Sequence, residues 1–331
     1  MAKYGFSYFG NRIPKYVKKD LLDFKKIGFE IVLHTFSEND FLFYKDTMKR
    51  IVSDSKKLGY EVWLDPWGYG GIFGGEAFSG FLQNNIEESQ ISNKEERLGS
   101  VCLNSEKFRN YMKEWIKSCK AIGADKIFWD EPHFYIFEPY NRYPEEFSCR
   151  CDTCKKNFYK IFNYEMPTEF NEDIKTYRNI VINDFLKEMT NFAKGLGIDN
   201  IICFVPEEAY ETGINNYEQI SSLKTISNIG SDPYWYGWNK NVQEFVGKSC
   251  NEIKSLSIKY NKDSHMWIQS FKVPEGRENE IEDAVIKIKE SGIENILFWG
   301  IRGCEHISSI SSDNPEKVWN IITQIIKKDK N

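Results

Sequence analysis

The sequence has no apolar run of the ~20 residues that a membrane-spanning helix requires, which argues against an integral membrane protein. It also has little excess charge, since 44 Lys and Arg stand against 49 Asp and Glu and the net charge is −5 at pH 7. The two signs are interspersed, so we expect neither a nucleic-acid partner nor attachment to an anionic membrane surface. The amino-terminal segment lacks the apolar stretch of a secretory signal, and we therefore expect a cytoplasmic protein.

Histidine is scarce, with four in 331 residues. Enzymes that hold a divalent metal through His, Asp and Glu need several such side chains at one end of the fold. Of the four histidines, only His34 falls clearly at the carboxyl end of a predicted strand. We therefore expect no catalytic metal, and we expect His34 to bind a substrate hydroxyl group. The sequence does not indicate an oligomeric state.

Aromatic residues, in contrast, make up 15% of the chain. Most of them are expected in the core, where large rings bury much apolar surface. Trp and Tyr at the ends of loops also suit stacking on sugar rings.

One pattern recurs along the chain. Amphipathic helical stretches end in glycine, and an apolar, β-rich run follows within a few residues, as in KKIGFEIVLHTF, KKLGYEVWLDPW, KAIGADKIFWDEP, KGLGIDNIICFVPEE and KESGIENILFWG. Glycine just after a helix is a frequent carboxyl-terminal cap. Near-continuous apolar runs are typical of parallel strands buried on both faces. The pattern predicts helices that alternate with parallel strands.

The pattern predicts eight strands, near residues 3–9, 29–36, 61–67, 126–131, 200–207, 228–234, 265–271 and 294–300. Eight strands alternating with helices over this length indicate a single (β/α)8 barrel that spans residues 1–331. The predicted loops after strands three (68–104) and four (132–153) are too long for ordinary connections. Because active sites of such barrels lie where the strands finish, we expect these loops to border the site.

The predicted strands have apolar bodies and polar or aromatic ends. The ends provide Asp65, Trp67, Asp130, Glu131, Glu207, Glu208, Asp232, Tyr234, Trp235, Gln269, Trp299 and Arg302. Carboxylates framed by Trp and Tyr at a barrel mouth indicate carbohydrate chemistry, so we expect a glycan or glycoside substrate. Cleavage of a glycosidic bond needs an acid that protonates the departing oxygen. It also needs a second group that stabilises or captures the positive charge at the anomeric carbon.

Strand seven, in HMWIQSF, ends in Gln269, and an amide cannot act as an anionic nucleophile. A substrate with a 2-acetamido group offers another route, because its carbonyl oxygen can attack the anomeric carbon. The enzyme carboxylate then needs only to orient and stabilise the acetamido N–H, and it can lie beside the acid. Asp130 and Glu131, in KIFWDEPHFY, form such an adjacent pair.

This pair resembles the Asp-Glu pair of glycoside hydrolase family 20 and of related β-N-acetylhexosaminidases such as family 123. The resemblance implies retaining, substrate-assisted hydrolysis of a β-GlcNAc or β-GalNAc glycoside. Asp130 would hold the acetamido N–H, and Glu131 would be the general acid/base. The resemblance also implies a tyrosine that hydrogen-bonds the acetamido oxygen and tryptophans that wall the acetamido pocket. The candidates are Tyr234 and Tyr236 for the first role, and Trp235, Trp299 and Trp67 for the second.

The segments VCLNSEKFR and CRCDTCKKNF carry a second resemblance. They are similar to segments of glycoside hydrolase family 42 β-galactosidases and related barrel hydrolases, where one cysteine joins a Cys-x-Cys-x-x-Cys cluster in a zinc site. The resemblance implies that Cys102, Cys149, Cys151 and Cys154 hold a structural Zn²⁺ that joins the two long loops. Four thiolates suit a closed tetrahedral zinc site. Unbound cysteines and a disulfide are the alternatives, and the other four cysteines are expected to be buried apolar side chains.

The sequence leaves two alternatives open. In one, Asp130 is the nucleophile of a β-galactosidase-like or α-glycosidase-like enzyme, and the acid is Glu207, Glu208 or Asp232. In the other, the barrel binds carbohydrate without cleaving it. In the favoured interpretation, the side chains expected to contact the sugar are Asp65, Glu208, Asp232, Tyr236, His34, Gln269 and Arg302.

Overall fold

The computed structural model describes residues 2–137, 146–206 and 212–330. Its strands are β1 (Lys3–Tyr8), β2 (Ile31–Thr35), β3 (Glu61–Asp65), β4 (Ser89–Ile91), β5 (Arg97–Val101), β6 (Lys126–Asp130), β7 (Asp199–Phe204), β8 (Ile226–Ser231), β9 (Asp263–Gln269) and β10 (Asn295–Trp299). Its helices are α1 (Pro14–Ile27), α2 (Glu38–Phe43), α3 (Lys45–Lys57), α4 (Gly80–Asn84), α5 (Glu106–Ile122), α6 (Asp152–Phe162), α7 (Glu172–Gly195), α8 (Tyr217–Ser221), α9 (Val242–Tyr260), α10 (Glu280–Glu290) and α11 (Pro315–Lys330). Within these ranges, no helix has both the length and the apolarity that crossing a membrane demands.

Eight of the strands close into a barrel in the order β1-β10-β9-β8-β7-β6-β3-β2. Every neighbouring pair is parallel, and the pairing of β1 with β10 closes the ring. Each barrel strand lies where the sequence pattern predicts one, although most begin or end a few residues away from the predicted limits. The predicted (β/α)8 barrel is therefore confirmed.

The glycines that end the helical stretches have the backbone conformation expected of a helix cap. Gly28, Gly59, Gly123, Gly197 and Gly292 all have positive φ, between 74° and 118°. This left-handed conformation is open to glycine at little steric cost, and it lets the chain leave a helix and enter the next strand. The local signal that predicts the alternation of helices and strands thus has a direct structural cause.

Large aromatic rings fill the barrel lumen. Trp63, Phe128, Trp267 and Trp299 belong to this inner cluster, and Trp63 stacks on Phe128 with ring centroids 5.9 Å apart. The outward-facing side chains of the same strands pack in a separate, larger cluster against the helices. Because side chains alternate along a strand, each strand contributes to both clusters.

The long loops after β3 and β6 pack on one another at the carboxyl-terminal end of the barrel. The loop after β3 contains α4 and the antiparallel pair of β4 and β5. Ser92 in this loop forms an isolated bridge with Ser148 in the loop after β6. The side chain of Gln90 accepts a hydrogen bond from the backbone N–H of Tyr135 at 3.1 Å. The loops after β3 and β6 therefore form one structural unit beside the mouth.

Candidate active site

Strand alternation brings several carboxylates to the mouth of the barrel. On β6, Phe128 faces the lumen and Trp129 faces the helices, where its indole N–H donates to Asn200 at 2.9 Å. Asp130, the next residue, therefore faces the lumen again. On β3, the same alternation turns Asp65 inward, two residues after the inner Trp63.

Glu131 would face away from Asp130 if β6 continued. Instead it has a positive φ of 41°, so the regular alternation ends at this residue. The backbone N–H of Glu131 donates to the carbonyl oxygen of Cys203 on β7 at 3.1 Å, and Nδ1 of His133 donates to the carbonyl oxygen of Glu131 at 2.5 Å. These contacts hold the turn in place. Both carboxylates of the pair consequently lie on the same side, against the loop after β3.

Gly74, in the loop after β3, lies against the carboxylates of Asp130 and Glu131. A Cβ atom built on Gly74 would lie 2.6 Å from Oδ2 of Asp130 and 3.2 Å from Oε2 of Glu131, so only glycine fits without displacing a carboxylate. The N–H of Gly74 donates to the carbonyl oxygen of Asp130 at 3.0 Å, and the N–H of His133 donates to that of Ile72 at 2.9 Å. The loop after β3 thus forms a wall of backbone along the pair.

Asp232, just past β8, is buried beside the pair. Its side chain lies within hydrogen-bonding reach of Glu131, and its residue is 3% exposed. Burial and the charges of Glu131 and Asp130 raise the pKa of Asp232. Burial, followed by the charge of Glu131, also raises the pKa of Asp130. The cluster therefore contains carboxyl groups that hold their protons more tightly than carboxyls in water.

Asp65 is more completely buried than Asp130 and Asp232. It is fully buried, and neither of its oxygens has a hydrogen-bond partner among the described residues. Burial, together with the charges of Asp130 and Glu76, raises its pKa well above the ordinary value of 3.8. An acid with a raised pKa binds its proton more tightly in the folded than in the unfolded chain. Its contribution to stability is therefore complete below the unfolded pKa and declines as the pH rises toward the folded pKa.

This burial predicts a pH-dependent effect of Asp65→Asn on stability. The amide has no proton to lose, so the variant should gain stability relative to the wild type between pH 4 and pH 7. Melting temperatures at pH 4, 5.5 and 7 measure the effect. A difference between the two proteins that does not change with pH would contradict the buried, proton-binding state of Asp65.

Tyr234 lies next to the carboxylates. Its backbone N–H donates to the carbonyl oxygen of Asp232 at 2.6 Å, and its ring packs edge-on against Phe271 with centroids 5.1 Å apart. Burial and the neighbouring charge of Asp232 raise the pKa of its hydroxyl. Tyr234 therefore stays protonated and can donate a hydrogen bond at the mouth.

Two predicted tryptophans border the same space. Trp67 and Trp299 both stack on Phe9, with centroids 5.6 and 5.5 Å away. The edge of Trp67 also packs so closely on Gly75 that a Cβ there would lie 1.8 Å from Cδ1. Phe9 and Gly75 therefore fix two indoles at the mouth.

Gln269 holds loops together rather than projecting freely into the lumen. Its amide nitrogen donates to the carbonyl oxygen of Phe271 at 3.0 Å, and its oxygen accepts from the backbone N–H of Tyr236 at 3.3 Å. The hydroxyl of Tyr236 in turn donates to the carbonyl oxygen of Arg277 at 2.7 Å. Gln269 is thus a lumen-end residue whose amide joins the loops after β8 and β9, and the hydroxyl of Tyr236 is engaged away from the carboxylates.

The structure places His34 away from the mouth, and its predicted role in binding a substrate hydroxyl is wrong. The residue is completely buried, and its Nε2 is 2.9 Å from Oγ of Ser55 on α3. Leu33, its neighbour on β2, belongs to the lumen cluster, so strand alternation turns His34 outward toward the helices.

Trp235 and Arg302 also lie outside the group of mouth carboxylates, contrary to prediction. Trp235 is fully buried in the layer between barrel and helices, where its indole donates to Glu280 on α10 at 2.8 Å. Arg302 extends toward α1, with its guanidinium 3.5 Å from Asp20 and over the ring of Phe24. Both side chains are held by outer elements. The predicted Glu207 and Glu208 lie outside the described residues.

Glu76 and Gly74 are parts of the site that the sequence interpretation missed. They lie in the middle of a glycine-rich loop, DPWGYGGIFGGEAF, far from any strand end. The charge of Glu76 contributes to the raised pKa of both Asp65 and Asp130, and Gly74 in the same loop lies against Asp130 and Glu131. A run of glycines around a single acid is the signal that can identify such a loop, because it permits a close approach of backbone to a site.

The four predicted cysteines converge at the junction of the two long loops. The Sγ atoms of Cys102, Cys149, Cys151 and Cys154 all lie within 4.8 Å of one another. The Sγ of Cys102 is 3.6 Å from that of Cys151 and 3.5 Å from that of Cys154. Four sulfurs at Zn–S distances of about 2.3 Å would be separated by about 3.8 Å. The group can therefore hold a tetrahedral metal ion.

Two N–H groups point at these sulfurs. The side-chain amide of Asn104 donates to Cys154 at 3.3 Å, and the backbone N–H of Ile91 donates to Cys149 at 3.5 Å. Such donors stabilise thiolates in metal sites. The remaining Cys119, Cys203, Cys250 and Cys304 are buried and unpaired, as expected.

A scan of the sequence against protein-family models finds no match. A search of curated proteins finds no similar sequence. Solved structures do share the fold. The catalytic domain of a β-amylase from Paenibacillus polymyxa aligns with a TM-score of 0.71 at 11% identity, covering 99% of this chain and 98% of that chain.

Two mannanases are also similar in structure. An endo-1,4-β-mannanase from Rhizomucor miehei aligns with a TM-score of 0.65 at 9% identity, over 99% of this chain and 95% of the other. An endo-1,4-β-D-mannanase from Thermotoga petrophila aligns with a TM-score of 0.59 at 11% identity, over 99% and 100%. At these identities the similarity establishes the barrel fold alone.

Proposed function

We propose that the protein is a retaining glycoside hydrolase that cleaves β-linked 2-acetamido sugars with the help of the substrate's own acetamido group. The observation that carries the proposal is the side-by-side arrangement of Asp130 and Glu131 against Gly74 at the mouth of the barrel. The β-amylase and the mannanases with the same fold act on glycosidic bonds, which supports a hydrolase of this class.

The proposed first step uses both carboxyl groups. The acetamido carbonyl oxygen attacks the anomeric carbon while Glu131 donates its proton to the departing glycosidic oxygen. Asp130 accepts a hydrogen bond from the acetamido N–H and stabilises the positive charge of the oxazolinium intermediate. Glu131 then takes a proton from water, which opens the intermediate with overall retention at the anomeric carbon.

Tyr234 and the indoles have supporting roles in this proposal. The hydroxyl of Tyr234, kept protonated by its surroundings, would donate to the acetamido oxygen and hold it in position for attack. Trp67 and Trp299 would contact apolar faces of the sugar, and Asp232 would accept from a hydroxyl group. Asp65 is fully buried, and its two unpartnered oxygens would remain available for a hydrogen bond on the lumen side.

A second mechanism has one specific observation in its favour. Asp232 is buried, with a raised pKa, within reach of Glu131 and near Asp130. It could serve as the acid while Asp130 acts as an enzyme nucleophile, and this mechanism requires no acetamido group.

A panel of 4-nitrophenyl glycosides tests the proposal. It comprises β-GlcNAc, β-GalNAc, β-glucose, β-galactose and α-galactose. We expect cleavage confined to the two 2-acetamido β-glycosides, and the faster of the two identifies the sugar. Efficient cleavage of sugars without the acetamido group would favour the enzyme nucleophile. Binding of glycans without cleavage of any of them would leave a carbohydrate-binding barrel.

We also propose that the four-cysteine group, Cys102, Cys149, Cys151 and Cys154, holds a structural Zn²⁺. The convergence of the sulfurs and the N–H donors of Asn104 and Ile91 support it. The metal would fix the junction of the loops after β3 and β6, one of which carries Gly74. A metal that binds only the folded chain adds to its stability.

Metal removal provides the prediction for this site. We expect about one zinc per chain, and a melting temperature lowered by about 5 °C or more after chelation. Cobalt should give visible thiolate-to-metal absorption in the wild type and lose it in Cys102→Ser. Cys250→Ser, which alters a buried cysteine outside the group, is the control and should keep its metal. Absence of bound metal from the wild type after growth with added zinc would contradict the proposal.

A further inference from the structure

Glu76 lies at the rim of the mouth, on the same loop as Gly74. The residue as a whole is exposed. Partial desolvation by its loop nonetheless raises the pKa of its carboxyl, with an added contribution from the like charge of Glu131. Trp67 packs on this loop next to Glu76, since a Cβ atom on Gly75 would lie 2.0 Å from its Nε1, and that indole N–H has no hydrogen-bond partner within the described residues. An acid with an aromatic side chain beside it therefore faces the entrance.

The charge around Glu76 is strongly one-sided. The acids Asp65, Asp130 and Glu131 lie within electrostatic range of it, whereas Lys272 is the cation that acts on it. Clefts lined with one sign of charge concentrate ligands of the opposite sign.

Two buried acids also have free hydrogen-bonding capacity on the lumen side. Asp65 lacks partners at both oxygens and Asp232 at Oδ1, within the part of the chain that the structure describes. Most buried polar groups in proteins have hydrogen-bond partners, so oxygens without one at a barrel mouth are available to a ligand. Some carboxyl oxygens at the mouth thus have hydrogen-bonding capacity that contacts among the described residues do not use.

The spacing of these acids argues against a single metal ion as the ligand. In the described ranges, the cysteine group is the one place where three or more ligand atoms converge closely enough to hold an ion. Among the described mouth carboxylates, no three place their oxygen atoms close enough together to do so. Such spacing suits an organic ligand whose hydrogen-bond donors and positive charge are carried on different ring positions.

We propose that Glu76, with Trp67 beside it, binds the ammonium group of an amino sugar adjacent to the sugar that is cleaved. The substrate class is then a partially de-N-acetylated 2-amino-sugar oligosaccharide, with an acetamido sugar at the reacting position and a free amine next to it. This inference rests on the proposed function for the choice of reacting sugar. The ammonium group would meet the carboxylate of Glu76 and the electron-rich indole, both of which attract cations.

Binding to the slow variant Glu131→Gln tests the inference without turnover. The probes are glucosamine tetrasaccharide, N-acetylglucosamine tetrasaccharide and the neutral cellotetraose, measured by calorimetry at two salt concentrations. We expect the glucosamine oligomer to bind at least tenfold more tightly than cellotetraose, with an affinity that falls as salt rises. Adding Glu76→Gln should abolish most of this preference.

Asp263→Asn is the matched control, because it removes one exposed carboxylate from the start of β9, at the opposite end of the barrel. It should leave the preference unchanged. Equal affinities for the glucosamine oligomer and cellotetraose would overturn the inference, as would a preference that Glu76→Gln does not alter.

The amine site and the hydrolase mechanism can each be wrong while the other is right, and the experiments distinguish these cases. If the glucosamine oligomer binds as expected but no acetamido glycoside is cleaved by the wild type, the proposed hydrolase mechanism is wrong and the amine site stands. If acetamido glycosides are cleaved but the charged oligomer shows no preference, the hydrolase stands and the amine site is wrong.

Discussion

Replacing Glu131 with Gln is expected to lower kcat on 2-acetamido β-glycosides by about 10²- to 10⁴-fold, because the amide cannot donate a proton to the departing oxygen. The loss should depend on the leaving group. A 2,4-dinitrophenolate departs with little protonation, so its glycoside should lose much less activity than an unactivated disaccharide. The measurement is a pair of kcat values for each substrate, in the wild type and the variant.

Glu290→Gln serves as the control for this experiment. Glu290 is the last residue of α10, which runs back from the mouth toward the opposite end of the barrel. The substitution makes the same chemical change there and should leave kcat at its wild-type value. An equal loss for activated and unactivated substrates in Glu131→Gln would mean that Glu131 does not act as the acid.

Gly74→Ala is expected to reduce kcat by about 10²-fold while the protein remains folded. The new methyl group would meet Asp130, with Oδ2 only 2.6 Å from the Cβ position, and would push at least one carboxylate out of place. Displacement of a reacting group by about 1 Å can reduce rates by this factor. KM should change less than kcat, because the altered groups act in the chemical step.

Gly99→Ala is the matched control for Gly74→Ala. Gly99 lies on β5 in the same long loop, and its added Cβ would meet its nearest neighbour, Tyr135, at an ordinary distance of 3.9 Å. We expect wild-type kcat and an unchanged melting temperature. Wild-type kcat in Gly74→Ala would contradict the positioning role of the loop, whereas unfolding of that variant would show up as a lowered melting temperature.

The barrel itself could be predicted from local signals. Helix-ending glycines with positive φ and near-continuous apolar runs mark the strands with little dependence on distant contacts. The same runs do not indicate which side of a strand faces the lumen, because parallel strands are apolar on both faces. This is why Asp65 and His34, both at strand ends, have opposite orientations that the sequence does not reveal.

The mouth residues that could be predicted from the sequence lie on strands or within a few residues of their ends. Asp130 follows from strand position, but the alignment of Glu131 with it depends on a left-handed turn that hydrogen bonds to Cys203 and His133 stabilise. Gly74 and Glu76 reach the site because a long loop folds back over the mouth. The run of glycines permits this close approach, but the path of the loop is set by tertiary contacts.

In the proposed mechanism, the substrate's acetamido group acts as the nucleophile beside Asp130 and Glu131. The most direct test is the rate of cleavage of 4-nitrophenyl β-glycosides whose N-acetyl group carries zero, one, two or three fluorine atoms. Fluorine withdraws electrons from the attacking carbonyl oxygen, so we predict that kcat falls steeply and steadily along the series. A rate that stays constant from acetyl to trifluoroacetyl would contradict the claim and identify an enzyme carboxylate as the nucleophile.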